Sequence, residues 1–158
     1  MIKAAILTVS DSCAEGRRED VSGRTIEDLL SAQGFEIHPR RIVADEREAI
    51  AREMIYFSDE AGVDIVLTTG GTGLGPRDVT PEATASVCGR MVPGLCEIMR
   101  FCGWQSTRNA VLSRATAGIR GSTVIINLPG SPRGASESLQ IILDLLPHAV
   151  KMLRGGGH

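Results

Sequence analysis

Carboxylates, hydroxyls, glycines and an arginine gather in four short segments: Ser10-Asp11-Ser12, Ala44-Asp45-Glu46, Gly70-Gly71-Thr72-Gly73 with Arg77-Asp78 just beyond it, and Pro129-Gly130-Ser131. Glycine lets a backbone take positive φ and come close to an anion, so Gly70–Gly75 reads either as a phosphate cradle or as a tight turn. The spacing from Gly70 to Gly75 fits a Walker A loop, but Pro76-Arg77 stands where that loop needs Lys and Ser or Thr. The dinucleotide pattern G-x-G-x-x-G does not fit either. Arg77 could offset phosphate charge and Asp78 could hold Mg²⁺; the alternative is a solvated Arg77–Asp78 pair, worth little. Asp45 suits helix capping, metal binding or both. Asp11 suits a turn cap or a ligand hydroxyl. Ser131, followed by Pro132, either caps a helix or turns its hydroxyl and nearby N–H groups toward an anion. None of the three histidines falls in these segments, which argues against histidine acid–base chemistry and against a Ser-His-Asp triad. This side-chain set suits phosphoryl or nucleotidyl transfer with Mg²⁺, where positioning and charge neutralisation do most of the catalysis.

Such segments need elements that bring them together. Ile2–Val9 is an apolar, β-favouring run. Gly23–Gln33 carries Ile26, Leu29 and Leu30 at helical spacing and stops at Gly34. Phe35–Val43 reads as a strand weakened by His38–Arg41. Glu46–Ala61 reads as a helix, with Ile50, Met54, Phe57 and Ala61 on one face. Val63–Thr69 and Ser122–Leu128 read as strands. Thr80-Pro81-Glu82 opens a helix with Thr as N-cap and Pro at the first position. Ser131-Pro132 repeats that signature for a helix running to about Leu146, with a break at Pro147. Pro93–Gly103 is a helix apolar nearly all round, hence either deeply buried or at a subunit contact. Trp104–Gly121 shows no clear pattern. Strands alternating with helices give a mainly parallel sheet covered on both faces. In such sheets ligands sit outside the carboxyl ends of the strands, where all four segments would then lie.

Composition narrows the function further. The chain has 158 residues, enough for one domain that buries roughly 70% of its unfolded surface. A net charge of −2 and only five aromatic residues argue against a nucleic-acid binder. No apolar run approaches the ~20 residues that span a bilayer, and no signal-peptide pattern opens the chain, so a cytoplasmic domain with no membrane contact is expected. Lys3 and Lys151 are the only lysines, so any bound phosphate rests on arginine or backbone N–H groups. The four cysteines form no C-x-x-C and have no histidine nearby, which disfavours zinc and a disulfide framework. Cys88, Cys96 and Cys102 read as core residues; Cys13, which follows a candidate site loop, reads as an ordinary loop thiol before a reactive one.

The run Gly70-Gly71-Thr72-Gly73 followed by Pro76-Arg77-Asp78-Val79-Thr80-Pro81-Glu82-Ala83-Thr84 resembles the signature of the molybdopterin adenylyltransferase family, of the MogA/MoaB type. Leu128-Pro129-Gly130-Ser131-Pro132, Ser10-Asp11-Ser12, Asp45 and Leu112-Ser113-Arg114 resemble further family positions in the right order, over about Ile2 to Leu153. The resemblance implies a three-layer α/β/α sandwich with a mainly parallel central sheet. It implies a single molybdopterin-binding domain over 1–153; the glycine-rich residues 154–158 read by themselves as a frayed tail. It implies a step in molybdenum cofactor synthesis: adenylyl transfer from Mg²⁺-ATP to the terminal phosphate of molybdopterin, releasing pyrophosphate. The alternative within the family is a non-catalytic molybdopterin-binding or scaffold protein. By the same resemblance Asp45 and Asp78 are the essential aspartates, expected to hold Mg²⁺. Ser10, Asp11, Gly70, Gly71, Thr72, Gly73, Arg77, Gly130 and Ser131 are expected to contact ATP and molybdopterin. A homotrimer or dimer of trimers is implied, with transient contact to the molybdate-insertion enzyme. Ser113 and Arg114 carry no assigned role.

Overall fold

Successive residues of the central strands point into two different cores, and that alternation sets the layering. In the computed structural model, which describes residues 1–157, β1 (Lys3–Val9) sends Ala4 and Ile6 to one side and Ala5, Leu7 and Val9 to the other. β4 (Ile65–Thr69) divides Ile65 and Leu67 from Val66, and β7 (Thr123–Leu128) divides Val124, Ile126 and Leu128 from Ile125. Strands covered on both faces carry apolar residues on both, which is why these three read as mostly apolar runs, broken by the buried Thr8, Thr68, Thr69, Thr123 and Asn127.

The first core is closed by α2 (Val21–Ala32), α5 (Pro93–Ser106), α6 (Pro132–Ile142) and α7 (Leu146–Leu153). The second is closed by α3 (Arg47–Ile55), which runs on as a π-helical turn over Tyr56–Glu60, and by α4 (Thr80–Val87). The result is the expected three-layer α/β/α sandwich. Two further strands flank β1 on its outer edge: β2 (Glu36–Ile37) and β3 (Arg41–Val43), both parallel to it. β1 pairs with β4 and β4 with β7, again parallel. On the far side β6 (Ala117–Arg120) and β5 (Arg90–Met91) run antiparallel, so the seven-stranded sheet has the order β2/β3-β1-β4-β7-β6-β5.

Several sequence expectations need correction. The strand expected over Phe35–Val43 is two strands: the register against β1 slips by one residue across His38–Arg40, from Ala4 opposite Ile37 to Leu7 opposite Arg41, so the regular ladder breaks there. Thr80 is not the N-cap of α4. Val79 holds that position, and the Thr80 hydroxyl instead donates to the Gly70 carbonyl at 2.9 Å. The unreadable stretch 104–121 holds the end of α5, a 3₁₀ turn over Arg108–Leu112 and β6. α5 is not deeply buried: Cys96 and Met99 face the core, while Ile98, Phe101 and Trp104 are exposed. Cys96 is buried, but Cys88 and Cys102 are only half-buried. The helix expected to reach Leu146 ends at Ile142 and restarts at Leu146. Of the tail expected over 154–158, His158 lies outside the described residues, while Arg154 donates to Asp64 at 2.8 Å and Gly156 to the Lys151 carbonyl at 3.0 Å. Among the described residues no helix is long and apolar enough to cross a membrane.

One polar group in the core fixes the strand ends that matter below. Asn127 is fully buried; its amide donates to Thr68 at 3.0 Å and Thr84 at 2.9 Å, and its carbonyl accepts the Thr116 N–H at 3.2 Å. It ties the end of β7 to β4, to α4 and to the strand entry on the far side. Asn127→Ala strands those partners in a dry interior, and we expect a loss of roughly 2–4 kcal/mol. Urea denaturation would show it as a lowered midpoint with an unchanged slope.

Candidate active site

The parallel strands β1, β3, β4 and β7 all end on one edge of the sheet, and the four chemically suggestive segments follow those ends. Thr8, Thr69, Ser10, Asp45 and Pro129–Ser131 thereby come to one rim.

The glycines there are required by close approach. Gly70 has φ +102°, and a Cβ on it would lie 2.2 Å from the Val9 carbonyl oxygen. Gly71 has φ +68°, and its Cβ would lie 2.2 Å from Thr80 Oγ1 and 3.3 Å from Asp45 Oδ1. Two bonds close the loop between them: the Thr80 hydroxyl donates to Gly70, and the Thr80 N–H donates to the Gly71 carbonyl at 3.1 Å. Gly70–Gly75 is therefore more than a turn. It opens the connection from β4 to α4, crossed by the Gly75 N–H bond to Asp78, and Gly70–Gly73 line the cavities beside it.

Two clefts meet at this loop. A cavity of about 600 Å³ lies between it and α5 and α6, lined in part by Met99, Arg100, Asn109 and Ile141. A second, of about 400 Å³, lies toward β1 and α2, lined in part by Ser10, Cys13, Arg18, Asp20 and Asp45. Gly71, Asp78, Gly130 and Ser131 line both. Thr72 and Gly73 line only the first, and Gly70 and Asp45 only the second.

The charged groups form a specific pattern. Asp11, in the single-turn helix α1 (Asp11–Ala14), accepts two bonds of 2.9 Å from the Arg77 guanidinium. Asp11 and Asp45 also exchange backbone bonds: the Asp11 N–H donates to Asp45 Oδ2 and the Asp45 N–H to Asp11 Oδ1, each at 2.9 Å. Asp45 therefore does not cap α3, whose N-cap is Glu46 with no side-chain bond. Nor does Arg77 pair with Asp78. The Arg77 hydrogen bonds hold the Asp11 carboxyl below the usual range, and Asp11 raises the Arg77 pKa in turn. Burial pushes the Asp45 carboxyl up, opposed by the bond from the Asp11 N–H and reinforced by the charges of Asp11 and Asp78.

Asp78 Oδ2 accepts the Gly75 N–H at 2.9 Å. Asp45 and Asp78 thus each use Oδ2 within the protein. Among the described residues, Oδ1 of each takes no hydrogen bond. No group of three His, Cys, Asp or Glu side chains among the described residues is placed to hold a metal by itself. Two carboxylates with free oxygens suit Mg²⁺, which is held by one or two carboxylates plus substrate phosphates and keeps its remaining waters.

Ser131 caps α6, accepting the Gly134 N–H at 3.0 Å, and Ser10 accepts the Cys13 N–H at 3.2 Å. The capping reading of Ser131 holds, Ser10 caps α1 as well, and both line the clefts. Burial raises the thiols of Cys88 and Cys96 to about 11, which leaves them protonated packing groups.

Residues 5–148 match the family model described as "Probable molybdopterin binding domain". The chain is also 43% identical over 157 residues to a molybdopterin adenylyltransferase of Helicobacter pylori strain J99, covering 98% of this chain and 89% of that one. The chain belongs to the molybdopterin adenylyltransferase family. Identity to the Escherichia coli K12 molybdopterin adenylyltransferase is 32% over 169 residues, 98% of this chain and 86% of that one. The fold superposes on the molybdopterin biosynthesis enzyme MoaB of Thermus thermophilus with a TM-score of 0.93, at 47% identity and 98% coverage of both chains.

In this family member, Arg114 is the site-edge residue whose role the sequence does not reveal. Its side chain donates to two backbone carbonyls of the glycine loop and pairs with Glu82, contacts 32 to 41 residues away in the chain. The only sequence signal for it is its place in Leu112-Ser113-Arg114. Gly71→Ala and Gly121→Ala separate backbone strain from close approach. Gly121 has φ +56° but open space around its Cβ, so its substitution costs about 1–2 kcal/mol. Gly71→Ala adds the clash with Thr80, and we expect a loss of roughly 3 kcal/mol or more, read by urea denaturation.

Proposed function

We propose that this chain transfers the adenylyl group of ATP to the terminal phosphate of molybdopterin. An oxygen of that phosphate attacks the α-phosphorus of ATP, the bond from the α-phosphorus to the bridging oxygen breaks, and pyrophosphate leaves. The second pKa of a phosphate monoester is about 6, so the nucleophile is already mostly dianionic at neutral pH and needs no general base. The protein's task is to align two anions and offset their charge.

The observation that carries this reading is the placing of Asp45 and Asp78 on one cleft, each with an unengaged oxygen, where two cavities join. Two joined cavities suit two substrates whose reacting ends must touch. Mg²⁺ held by Asp45 and Asp78 would neutralise the triphosphate and favour pyrophosphate departure. Gly70, Gly71, Thr72 and Gly73 offer close backbone approach to phosphate, as do Gly130 and Ser131 on the facing turn. Ser10 and Asp11 border the second cleft. Arg77 spends Nε and Nη2 on Asp11, which leaves Nη1 for a phosphate. The exposed apolar side chains Ile98, Phe101 and Trp104 on α5, with Val111 and Leu112 beyond it, supply a surface for the proposed homotrimer.

Asp78→Asn keeps the shape and removes the charge. We expect pyrophosphate release to fall by roughly 100-fold or more while molybdopterin binding stays within threefold. Loss of pterin binding with normal Mg²⁺-ATP affinity would refute the assignment. Asp45 gives a second test, through stability. Its folded carboxyl titrates above the unfolded one, so the folded state binds the proton more tightly and stability falls as pH rises between the two values. Asp45→Asn keeps the acceptor for the Asp11 N–H without the charge. Its Tm should exceed that of the parent at pH 7, and the gap should close below the unfolded pKa, while turnover is lost.

A further inference from the structure

Arg114 spans the glycine loop from outside. Its backbone N–H donates to the Thr72 carbonyl at 2.8 Å, and Nε donates to the Gly73 carbonyl at 2.9 Å. Nη2 donates to the Asp78 carbonyl at 2.5 Å, and Nη1 pairs with Glu82. One residue therefore grips the loop on both of its arms and at the first turn of α4. The Asp78 carboxylate lies across the same loop. It accepts the Gly75 N–H, and a Cβ on Gly73 would lie 2.8 Å from its Oδ2. The distance between the Gly73 and Asp78 backbones is thus set by the guanidinium bridging their two carbonyls. On the opposite side the loop is pinned once more, by Arg77 on Asp11, whose backbone is bonded to Asp45.

We infer that Arg114 is a positioning residue that holds the Asp78 carboxylate in register with Asp45 for a magnesium-bound triphosphate. It does not face substrate chemically: the donors described above are committed to the loop and to Glu82. A planar guanidinium reaches carbonyls on both arms at fixed spacing, whereas an ammonium is a single point charge and cannot bridge them. The inference rests on the adenylyl-transfer reading for the identity of the metal-bound ligand. The bridging geometry itself does not depend on it.

The test uses Mn²⁺·ATP as probe, read by water-proton relaxation, beside molybdopterin binding and pyrophosphate release. Groups that orient a metal ligand are typically worth about 10- to 100-fold in metal affinity or activity. Arg114→Lys keeps the charge and should weaken Mn²⁺·ATP binding roughly 10-fold or more, in line with Asp78→Asn, with molybdopterin binding within threefold. Arg114→Gln, which can serve one carbonyl but not both arms, should do the same, and guards against one variant folding poorly. Affinities are referred to the folded fraction from urea titration. Parental Mn²⁺·ATP affinity in folded Arg114→Lys, or an equal loss of molybdopterin binding, would overturn the inference. A parent chain that fails to bind Mn²⁺·ATP would overturn it together with the proposed function. A parent that binds Mn²⁺·ATP with the expected variant pattern but releases no pyrophosphate would sustain the positioning role and refute adenylyl transfer.

Discussion

The parallel alignment of β1, β4 and β7 is the constraint on which the rest of the molecule depends. Residues at the ends of three adjacent parallel strands are held about 5 Å apart by the ladder itself, and every connection must cross a face of the sheet to return. That requirement produces both helical layers. It also puts Ser10, Gly70 and Pro129 side by side, with Gly70 close enough to Val9 and Gly130 that neither a side chain nor an ordinary backbone angle fits. The Gly70 N–H donates to the Leu128 carbonyl at 3.2 Å, and the Thr69 hydroxyl donates to the Pro129 carbonyl at 2.7 Å. The sheet ladder is thus carried one step beyond its regular end, into the site.

From that edge the glycine loop leaves the sheet and must return to start α4. Its shape is not a property of its own sequence. Asp78, Thr80 and the glycines supply the internal bonds, but Arg114 and Arg77 hold it from two sides, through partners 36 and 66 residues apart in the chain. Loops with few buried apolar contacts hold one shape when polar anchors fix them, and here two arginines are those anchors.

This explains what can be read in advance. The central strands, α3 and the four rim segments are legible, because burial on two faces and chain-local glycine or capping patterns leave direct marks on sequence. Asp45 and Asp78 are legible as candidates through position after strands and through a long motif. Their partners are not. Arg77 beside Asp78 suggests a local pair, yet the guanidinium turns to Asp11, a choice made by tertiary distance alone. Asp45 looks like a helix cap because it precedes Glu46, but Glu46 is itself the N-cap of α3 and the Asp45 carboxylate turns to the Asp11 N–H instead. β5 and β6 escape notice because two and four residues are too few to show alternation, and their edge is antiparallel to the rest. The strand is legible on both sides of Pro39, but the one-residue slip in its register against β1 is not.

The charge pattern gives these contacts a common logic. Asp11, Asp45, Asp78 and Glu82 stand around the loop, with the more exposed Glu46 at 3.6 Å from Arg77 beside them. Two arginines neutralise two of them, Arg77 on Asp11 and Arg114 on Glu82, and in both cases the arginine bond holds the carboxyl below its usual range. Asp45 and Asp78 receive backbone N–H groups but no cation. Asp45 responds as a partly buried carboxylate near other negative charges must, with its proton held more tightly than in water. Its ionised form is therefore kept at a cost in stability, which a divalent cation shared with Asp78 would relieve. Had Arg77 paired with Asp78, as adjacency suggests, that drive would be gone and the loop would lose its anchor to Asp11. The selective pairing of Asp11 and Glu82, with Asp45 and Asp78 left without a cation, distinguishes this rim from an ordinary charged surface, where each acid would take the nearest arginine.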